Sequence, residues 1–328
     1  MPFAPRRRWR LAAPLLAVLA ALCLALSGCG GGSESGGGSG AAAAPTAGFP
    51  VTVPHAFGST TIPAKPTRVV TVGYNDADFA LALGTVPVGV RDFTGAFDET
   101  TRPWAQQALG GARPEQVGGS EIDVEKVASL RPDLILGVYS FMERATYDRL
   151  SQIAPTIADP TEGGARPATW QEQTKITGQA LGESARADQV VAGVEQRFAD
   201  ARTANPQFAG KSVAVDLVAS GETNLLGADD LRTQAFRGLG LTIDPASQAL
   251  SSEQLTALNK DAIAVVGVDE PQVLANPVFA NLPPVRAGKV VYLGNEASAF
   301  AGALGFSSPL SLPFALDQMV PPLARAYA

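Results

Sequence analysis

The chain of 328 residues carries 31 acidic and 25 basic side chains, which gives a formal net charge of −6, and it contains one histidine, His55. An acidic chain does not fit a nucleic-acid-binding protein, which needs a basic surface. A single histidine argues against a bare Zn²⁺ or Mn²⁺ carrier and leaves only His55 for a Ser-His-Asp triad. The composition therefore favours a protein without catalytic activity, without a cofactor and without a metal held by its own side chains.

The N-terminal segment has the composition of a secretory signal. Four arginines within the first ten residues precede an uncharged apolar run, which ends in Leu26-Ser27-Gly28-Cys29. This order is typical of a signal peptide, and its last four residues are similar to the bacterial lipobox, in which the cysteine becomes a lipidated N-terminus. We therefore predict a signal peptide at residues 1–28 and lipidation at Cys29. A single transmembrane anchor is the alternative, although a membrane span needs about 20 apolar residues.

Residues 29–50 are rich in Gly, Ser and Ala and predict a flexible tether. A coil of this kind with about 20 residues has an r.m.s. span of roughly 25 Å, so a folded body could move near the membrane while attached to it. Cys23 leaves with the signal peptide, which excludes a disulfide in the mature chain.

From residue 51 to 168, short apolar runs alternate with segments of helical periodicity. The first segment, 51–63, predicts an edge hairpin with an exposed, structural His55. The predicted strands that follow are Arg68–Gly73, Val86–Val90, Asp133–Tyr139 and Pro155–Asp159, and the predicted helices are Asp76–Gly84, Asp123–Leu130 and Glu143–Ala154. Strands alternating with helices predict a mostly parallel sheet with helices on its faces.

Residues 169–205 contain few strand-forming residues and predict a helical linker between two lobes. Gly178 and Gly182 could each break it, and Ser184 is a plausible N-cap for the second helix. That second helix, of about 20 residues, would be roughly 30 Å long.

The alternation of strands and helices restarts in residues 206–328. The predicted strands are Lys211–Ala219, Asp261–Val268 and Gly288–Gly294, and the predicted helices are Leu231–Gly240, Ser251–Leu258 and a C-terminal helix that Pro321-Pro322 should bend or end. The sequence thus predicts an α/β protein with two Rossmann-like lobes, 51–168 and 206–328, whose mostly parallel sheets are joined by a long helix.

Several segments of the chain carry the motifs of one protein family. They are Phe57–Gly73, Asp76–Val90, Asp123–Leu136 and Ser251–Val268. The third contains the pattern E-x-[IV]-x-x-L-x-P-D-L-I and is the most specific. Together they resemble the substrate-binding proteins of ABC importers for ferric siderophores and cobalamin, over nearly all of the chain from Val51 onward.

The resemblance implies two lobes bridged by a rigid helix, with a ligand held between them at the carboxyl ends of strands. It also implies that this subunit catalyses no reaction and that any iron arrives already held by its chelator. In the family, one surface glutamate in each lobe pairs with arginines of the permease, and the matching positions are Glu125 and Glu253. Each also lies in the first turn of a predicted helix, where the helix dipole or a local cap would favour Glu without any partner.

The residues that follow predicted strands are the candidates for ligand contact. A guanidinium group suits the oxygen atoms of an anionic chelate, and aromatic rings cover an organic ligand and exclude water. The candidates are Tyr74, Asn75, Arg91, Phe93 and Tyr139 in the first lobe and Asn224, Arg232 and Phe300 in the second.

The resulting expectation is a monomeric substrate-binding lipoprotein, anchored through Cys29 at the extracytoplasmic face of the cell membrane. Its expected partners are a ferric-siderophore ligand and the subunits of an ABC permease, and nucleic acid is not among them. Two alternatives remain open at this point. One is a protein of the same fold for cobalamin, haem or another cofactor, and the other is a surface lipoprotein that mediates interactions without transport.

Overall fold

The computed structural model describes residues 48–92, 99–161, 167–219 and 221–328. The predicted signal peptide, the lipidation site Cys29, nearly all of the tether and the candidate Phe93 lie outside these ranges. The fold and the site below are those of the described residues.

The first lobe contains a hairpin and a five-stranded, entirely parallel sheet with the order β5-β4-β3-β6-β7. Its central strands are buried over their whole length, because helices cover both faces of a parallel sheet. The strands are β1 Val51–His55, β2 Gly58–Ile62, β3 Val69–Thr71, β4 Gly89–Val90, β5 Glu115–Gln116, β6 Leu134–Leu136 and β7 Thr156–Ile157. The helices are α1 Asp76–Ala82, α2 Gln106–Leu109, α3 Val124–Ser129 and α4 Arg144–Ser151.

The hairpin of β1 and β2 lies against the edge strand β7 and buries the single histidine. The backbone N–H of Ala56 donates to the Asp159 carbonyl at 2.8 Å, and His55 is only 7% exposed. Its Nε2 lies 2.9 Å from the Thr60 hydroxyl, and burial lowers the pKa of the imidazole. The expectation of an exposed His55 was therefore wrong, because the hairpin packs onto the sheet and does not project into solvent.

Two consecutive helices, α5 Trp170–Leu181 and α6 Ser184–Ala204, connect the sheets of the two lobes. A reciprocal pair of hydrogen bonds between Thr169 and Glu172 caps α5, and Gly182 ends it in the left-handed conformation at φ 70°. The other expected break is absent, because Gly178 stays helical. A Cβ added to Gly178 would lie 2.5 Å from Cβ of Ala187, so glycine here permits close packing of α5 on α6. Ser184 is the first helical residue and does not cap the helix.

The second lobe has a mixed five-stranded sheet with the order β10-β9-β8-β11-β12. Strands β8, β11 and β12 are parallel, whereas β9 pairs antiparallel with β8 and β10 pairs antiparallel with β9. The strands are β8 Val213–Ala219, β9 Glu222–Leu226, β10 Gln248–Leu250, β11 Ala262–Gly267 and β12 Val290–Asn295. The helices are α7 Gln234–Gly238, α8 Glu270–Leu274, α9 Pro277–Ala280, α10 Pro283–Arg286, α11 Ala299–Phe306 and α12 Ser311–Ala326, and Ser252–Leu258 is a 3₁₀ helix. The predicted α/β class with two lobes joined by a helix is confirmed.

Helix α12 continues through Pro321 and Pro322 as far as Ala326, so the helix does not end at these residues. The two prolines leave the carbonyls of Asp317 and Gln318 without their helical donors. Both of these residues lie on the exposed face of α12, where water can bind the carbonyls. The opposite face carries Leu316, Met319 and Leu323, whose burial holds the helix in place.

A hydrophobic core and a buried polar cluster join the two lobes. Phe79 of α1 and Trp170 of α5 belong to the same core as Phe236 and Phe300 of the second lobe. Beside this core, the carboxylate of Asp78 accepts hydrogen bonds from three buried or half-buried donors of both lobes. We call this set the interlobe cluster: Asp78, Arg102 Nε at 2.8 Å, Trp104 Nε1 at 2.7 Å and Ser308 Oγ at 2.9 Å.

We predict that Asp78→Ala lowers the free energy of unfolding by about 3–5 kcal/mol, because it removes the acceptor of a buried guanidinium and of two further donors. Urea denaturation of the purified chain measures this loss. Asp148→Ala is the matched control, since it breaks an exposed pair with Arg144 and should cost about 0.5 kcal/mol or less. Equal losses in the two variants would show that the interlobe cluster stabilises the fold no more than an exposed ion pair does.

Candidate ligand-binding site

Three aromatic rings lie together where β3 and β6 end. Tyr74 follows β3, and Tyr139 and Phe141 follow β6. The ring centroids of Tyr139 and Phe141 are 4.7 Å apart, and those of Tyr74 and Phe141 are 6.2 Å apart. Phe141 has a positive φ of 53° and remains 42% exposed, which is unusual for a large apolar side chain. We call these three rings the aromatic surface, and Phe141 is the member that the sequence interpretation missed.

Arg91, which follows β4, holds the Tyr74 ring of the aromatic surface in place. Its guanidinium is buried, and its Nη2 donates to the Tyr74 hydroxyl at 2.7 Å while Cζ lies 3.9 Å from the centroid of the Tyr74 ring. Its other donors bind backbone carbonyls, namely those of Val72, Ser140, Gly119 and Ser120. All five N–H groups are thereby used. Arg91 therefore positions Tyr74 and is not placed to bind a ligand directly. The hydroxyl proton of Tyr74 has no acceptor among the described residues.

Two buried carboxyl groups that the sequence interpretation did not single out support the same loops. Asp76, at the start of α1, accepts from the Val138 N–H at 2.8 Å, and Asp159 accepts from the Ser140 hydroxyl at 2.7 Å. Burial, with repulsion from Asp159, raises the pKa of Asp76 to about 7, and burial raises the pKa of Asp159 as well. A Cβ at Gly73 would lie 2.3 Å from an Asp76 oxygen, so this close approach requires glycine.

The second lobe contributes an ion pair whose charges act on Tyr139 of the aromatic surface. Arg232 donates through Nε to Oδ1 of Asp230 at 2.8 Å and through Nη2 to Oδ2 at 2.5 Å. Burial raises the pKa of the Tyr139 phenol, the Asp230 charge raises it further and the Arg232 charge lowers it, so these groups lie close enough to interact across the lobes. Among the described residues no acceptor binds Nη1 of Arg232, and its side chain is 34% exposed. This guanidinium is held rigidly and still has donors to offer.

The remaining candidates are dispersed. Asn75 is fully buried and donates from Nδ2 to the Phe306 carbonyl at 2.8 Å, so it joins the lobes to each other. Phe300 lies in α11, a helix that the sequence interpretation did not predict, and not in a loop. At 3% exposed it packs in the core. Asn224 is half-buried on β9 opposite Leu217 of β8. The structure thus gathers Tyr74, Tyr139 and Arg232 but leaves Asn75 and Phe300 away from any open surface.

The two glutamates of the predicted docking surface both point to solvent. Glu125 in α3 is 82% exposed and accepts from Arg149 Nη2 at 2.8 Å, while Asp123 caps the helix. Glu253 is exposed in the 3₁₀ helix, where Ser251 and Gln254 form the reciprocal cap. Neither glutamate is the capping side chain of its helix.

Metal-ligating side chains do not cluster in the ranges that the structure describes: no group of three or more His, Cys, Asp or Glu could hold an ion there. In the same ranges, none of the helices combines the length and apolar character that crossing a membrane requires. What the site offers is aromatic area, a phenol and a guanidinium, which together suit an organic ligand that carries oxygen atoms.

The raised pKa of Asp76 has a consequence for stability. A carboxyl that is protonated more readily in the folded state contributes less stability as pH rises from its unfolded value near 4 to its folded value of about 7. We predict that Asp76→Asn gains stability relative to the unsubstituted chain by about 1.4 kcal/mol per pH unit over this interval, and that the difference is constant above it. Denaturation at stepwise pH tests this, with exposed Asp188→Asn as a control that should give a flat difference. A flat difference for Asp76→Asn would contradict it.

The chain is similar in sequence and structure to known binding proteins. One relative, the probable siderophore-binding lipoprotein YfiY of Bacillus subtilis, is 31% identical over 182 residues, which are 54% of this chain and only 53% of that protein. Another, the Fe(3+)-citrate-binding protein YfmC of the same organism, is 26% identical over 84% of this chain and 87% of its own length. A solved structure of a periplasmic solute binding protein from Mycobacterium smegmatis is 34% identical, covers 85% of this chain and 99% of that chain, and has a TM-score of 0.76.

Residues 69–297 match the model of the family described as periplasmic binding protein. This match begins at β3 and ends after β12, so it includes both sheets and the helices between them. The chain therefore belongs to the periplasmic binding protein family.

Proposed function

We propose that this chain is the lipid-anchored substrate-binding subunit of an ABC importer, and that it captures a ferric siderophore between its lobes and delivers it to the permease. The observation that carries the proposal is the aromatic surface of one lobe together with the Arg232–Asp230 pair of the other, whose charges act on Tyr139. Its setting supports this, since the chain belongs to a family of binding proteins and two relatives are named for siderophore and ferric-citrate binding.

Each part of the site has a role toward such a ligand. A ferric chelate presents an organic shell and oxygen atoms that often carry net negative charge. The rings of Tyr139 and Phe141 cover the shell and exclude water. Arg232 donates to the oxygens from a guanidinium that Asp230 already orients, and Tyr74 donates its phenolic proton. Phe93 and Asn224 stay proposed contacts, and iron is held by the chelator throughout.

The proposed anchoring follows from the N-terminal sequence. Lipidation of Cys29 after removal of residues 1–28 would hold the mature chain at the extracytoplasmic face of the cell membrane, and the tether would let it reach the permease. The relative YfiY is named as a lipoprotein, which is consistent with this arrangement. The proposed work of the subunit is capture and delivery, without chemical change to the ligand.

Titration of tryptophan fluorescence with ferric hydroxamates, ferric catecholates, ferric citrate and cobalamin tests the proposed ligand class. We expect micromolar or tighter binding of one ferric chelate. Arg232→Met should weaken it about 10–100-fold, because a charge-assisted hydrogen bond contributes about 1.5–3 kcal/mol. Tyr74→Phe should weaken it less, since the ring is kept.

The control for this titration is Arg144→Met, which removes an exposed guanidinium of the first lobe and should leave affinity unchanged. Binding of cobalamin and of no ferric chelate would change the proposed ligand to cobalamin and keep the proposed transport role. No fluorescence change with any compound would contradict ligand capture and favour a surface interaction protein.

A separate prediction concerns docking to the permease. Charge reversal at both exposed glutamates, Glu125→Arg with Glu253→Arg, should abolish uptake of the ferric chelate by cells and leave its affinity for the purified chain intact. The pair between Glu125 and Arg149 does not oppose this role, because an exposed ion pair contributes about 0–1 kcal/mol and exchanges easily. Glu143→Arg with Glu222→Arg reverses two other exposed charges and should transport normally. Normal uptake by the first pair would remove the docking role.

A further inference from the structure

A second cavity lies wholly within the C-terminal lobe, away from the aromatic surface. It has a volume of about 440 Å³ and opens between the carboxyl ends of β8 and β11 and the helices α8 and α9. Its polar lining comes from Asp216, Thr223, Gln272, Asn276 and Glu296. We call it the Asp216 cavity. No Lys, Arg or His is among the described residues that line it, so its lining is acidic and rich in oxygen acceptors.

Asp216 is an unusual side chain for its place in the fold. It lies on β8 between Ala214 and Val218, which share its face of the sheet, and Ala214 packs in the apolar core beneath. The carboxyl is 0% exposed, and neither of its oxygens has a hydrogen-bond donor among the described residues. Burial alone raises its pKa to about 7.

The other buried acids of the described chain differ from Asp216 in this respect. Asp78 accepts from Arg102, Trp104 and Ser308, and Asp159 accepts from the backbone and hydroxyl of Ser140. A buried polar group without a partner is destabilising, whereas an apolar residue at this strand position would pack on the core. Asp216 lines the cavity, and no donor among the described residues uses the hydrogen-bonding capacity of its two oxygens.

We propose that the Asp216 cavity is a binding site for a primary ammonium group, with Asp216 as its counter-ion. The ammonium supplies three donors and a positive charge, which complement the carboxyl of Asp216, the hydroxyl of Thr223 and the amide oxygen of Gln272. The cavity volume lies within the range of small-molecule sites, about 300–1,000 Å³. A bare metal ion fits less well, because no group of three acidic or His ligands exists among the described residues.

This proposal goes beyond the proposed function and does not depend on the identity of the chelate. The shared chemistry is an alkylammonium, which can belong to a free amine or to a pendant arm of the transported ligand. Its failure would leave the aromatic surface and Arg232 untouched, since those residues do not line this cavity.

Calorimetric titration of the purified chain at pH 8 tests the site with n-pentylamine and 1,5-diaminopentane, and 1-pentanol and pentanoate serve as neutral and anionic matches. We expect both amines to bind and both controls to fail. Asp216→Asn should weaken amine binding at least about tenfold, because it removes a charge-assisted hydrogen bond. Glu222→Gln is the matched control, since it removes an exposed carboxylate on the neighbouring strand β9 that does not line the cavity. Its affinity should not change.

The pH dependence gives a readout that does not require a variant. Because the ammonium binds the ionised carboxyl, affinity should fall about tenfold per pH unit below the pKa of about 7 and level off above it. This profile, with the discrimination between pentylamine and pentanol, decides the matter even if Asp216→Asn does not fold.

Two further measurements distinguish a free amine from an amine carried by the transported ligand. The first compares a ferric trihydroxamate that has a free terminal amine with its N-acetylated form. Tighter binding of the free amine, with the difference lost in Asp216→Asn, assigns the amine to the transported ligand. Binding of pentylamine without such a difference assigns it to a free amine. The proposal is overturned if amines and pentanol bind alike or not at all, if Asp216→Asn binds amines normally, or if only Ca²⁺ or Mg²⁺ binds at Asp216.

Discussion

Asp78 is the carboxylate on which the arrangement of the two lobes depends. It lies on α1, immediately after the first strand of the parallel sheet, and receives hydrogen bonds from Arg102 and Trp104 of its own lobe and from Ser308 of the other. Asn75, one turn earlier, donates to the Phe306 carbonyl. A buried charge tolerates little displacement of its partners, because each lost hydrogen bond leaves a desolvated group behind. Together with the core around Phe79 and Trp170, these bonds restrict hinge motion between the lobes.

A fixed relation between the lobes makes the geometry of the site a property of the unliganded protein. The buried guanidinium of Arg91 determines where Tyr74 stands, and Asp230 does the same for Arg232 on the opposite side. Neither side chain must lose much rotational freedom when a ligand arrives, so less of the interaction energy is spent on ordering. Arg91 and Arg232, which the sequence interpretation treated alike, thus have different roles. The donors of Arg91 are all used within the protein, whereas Arg232 keeps donors available for a ligand.

The difference between these arginines marks the limit of what sequence can predict. Strand ends, the two-lobe class and the motif around Glu125 are local patterns, and they predicted that Tyr74 and Tyr139 follow strands, which the structure shows. Whether Arg91 reaches outward or folds back depends on the carbonyls of Gly119 and Ser120, about 28 residues away, which no local pattern reveals. Phe300 was placed in a loop because helix α11, which Ser298 caps, was not predicted, and the antiparallel β9 was missed because its five residues carry a weak strand signal.

Two buried carboxyl groups with the same raised pKa of about 7 show why burial alone does not identify a functional residue. Asp76 accepts a backbone hydrogen bond from Val138 through Oδ2 and closes against Gly73, so at least one of its oxygens is used to hold the loops. Asp216 has the same desolvation without a donor among the described residues, and it borders space large enough for a molecule. Stability alone would favour an apolar side chain at such a position. A residue that weakens the folded state while facing a cavity is best understood through what fills that cavity, and this distinguishes Asp216 from every other buried acid described in this chain.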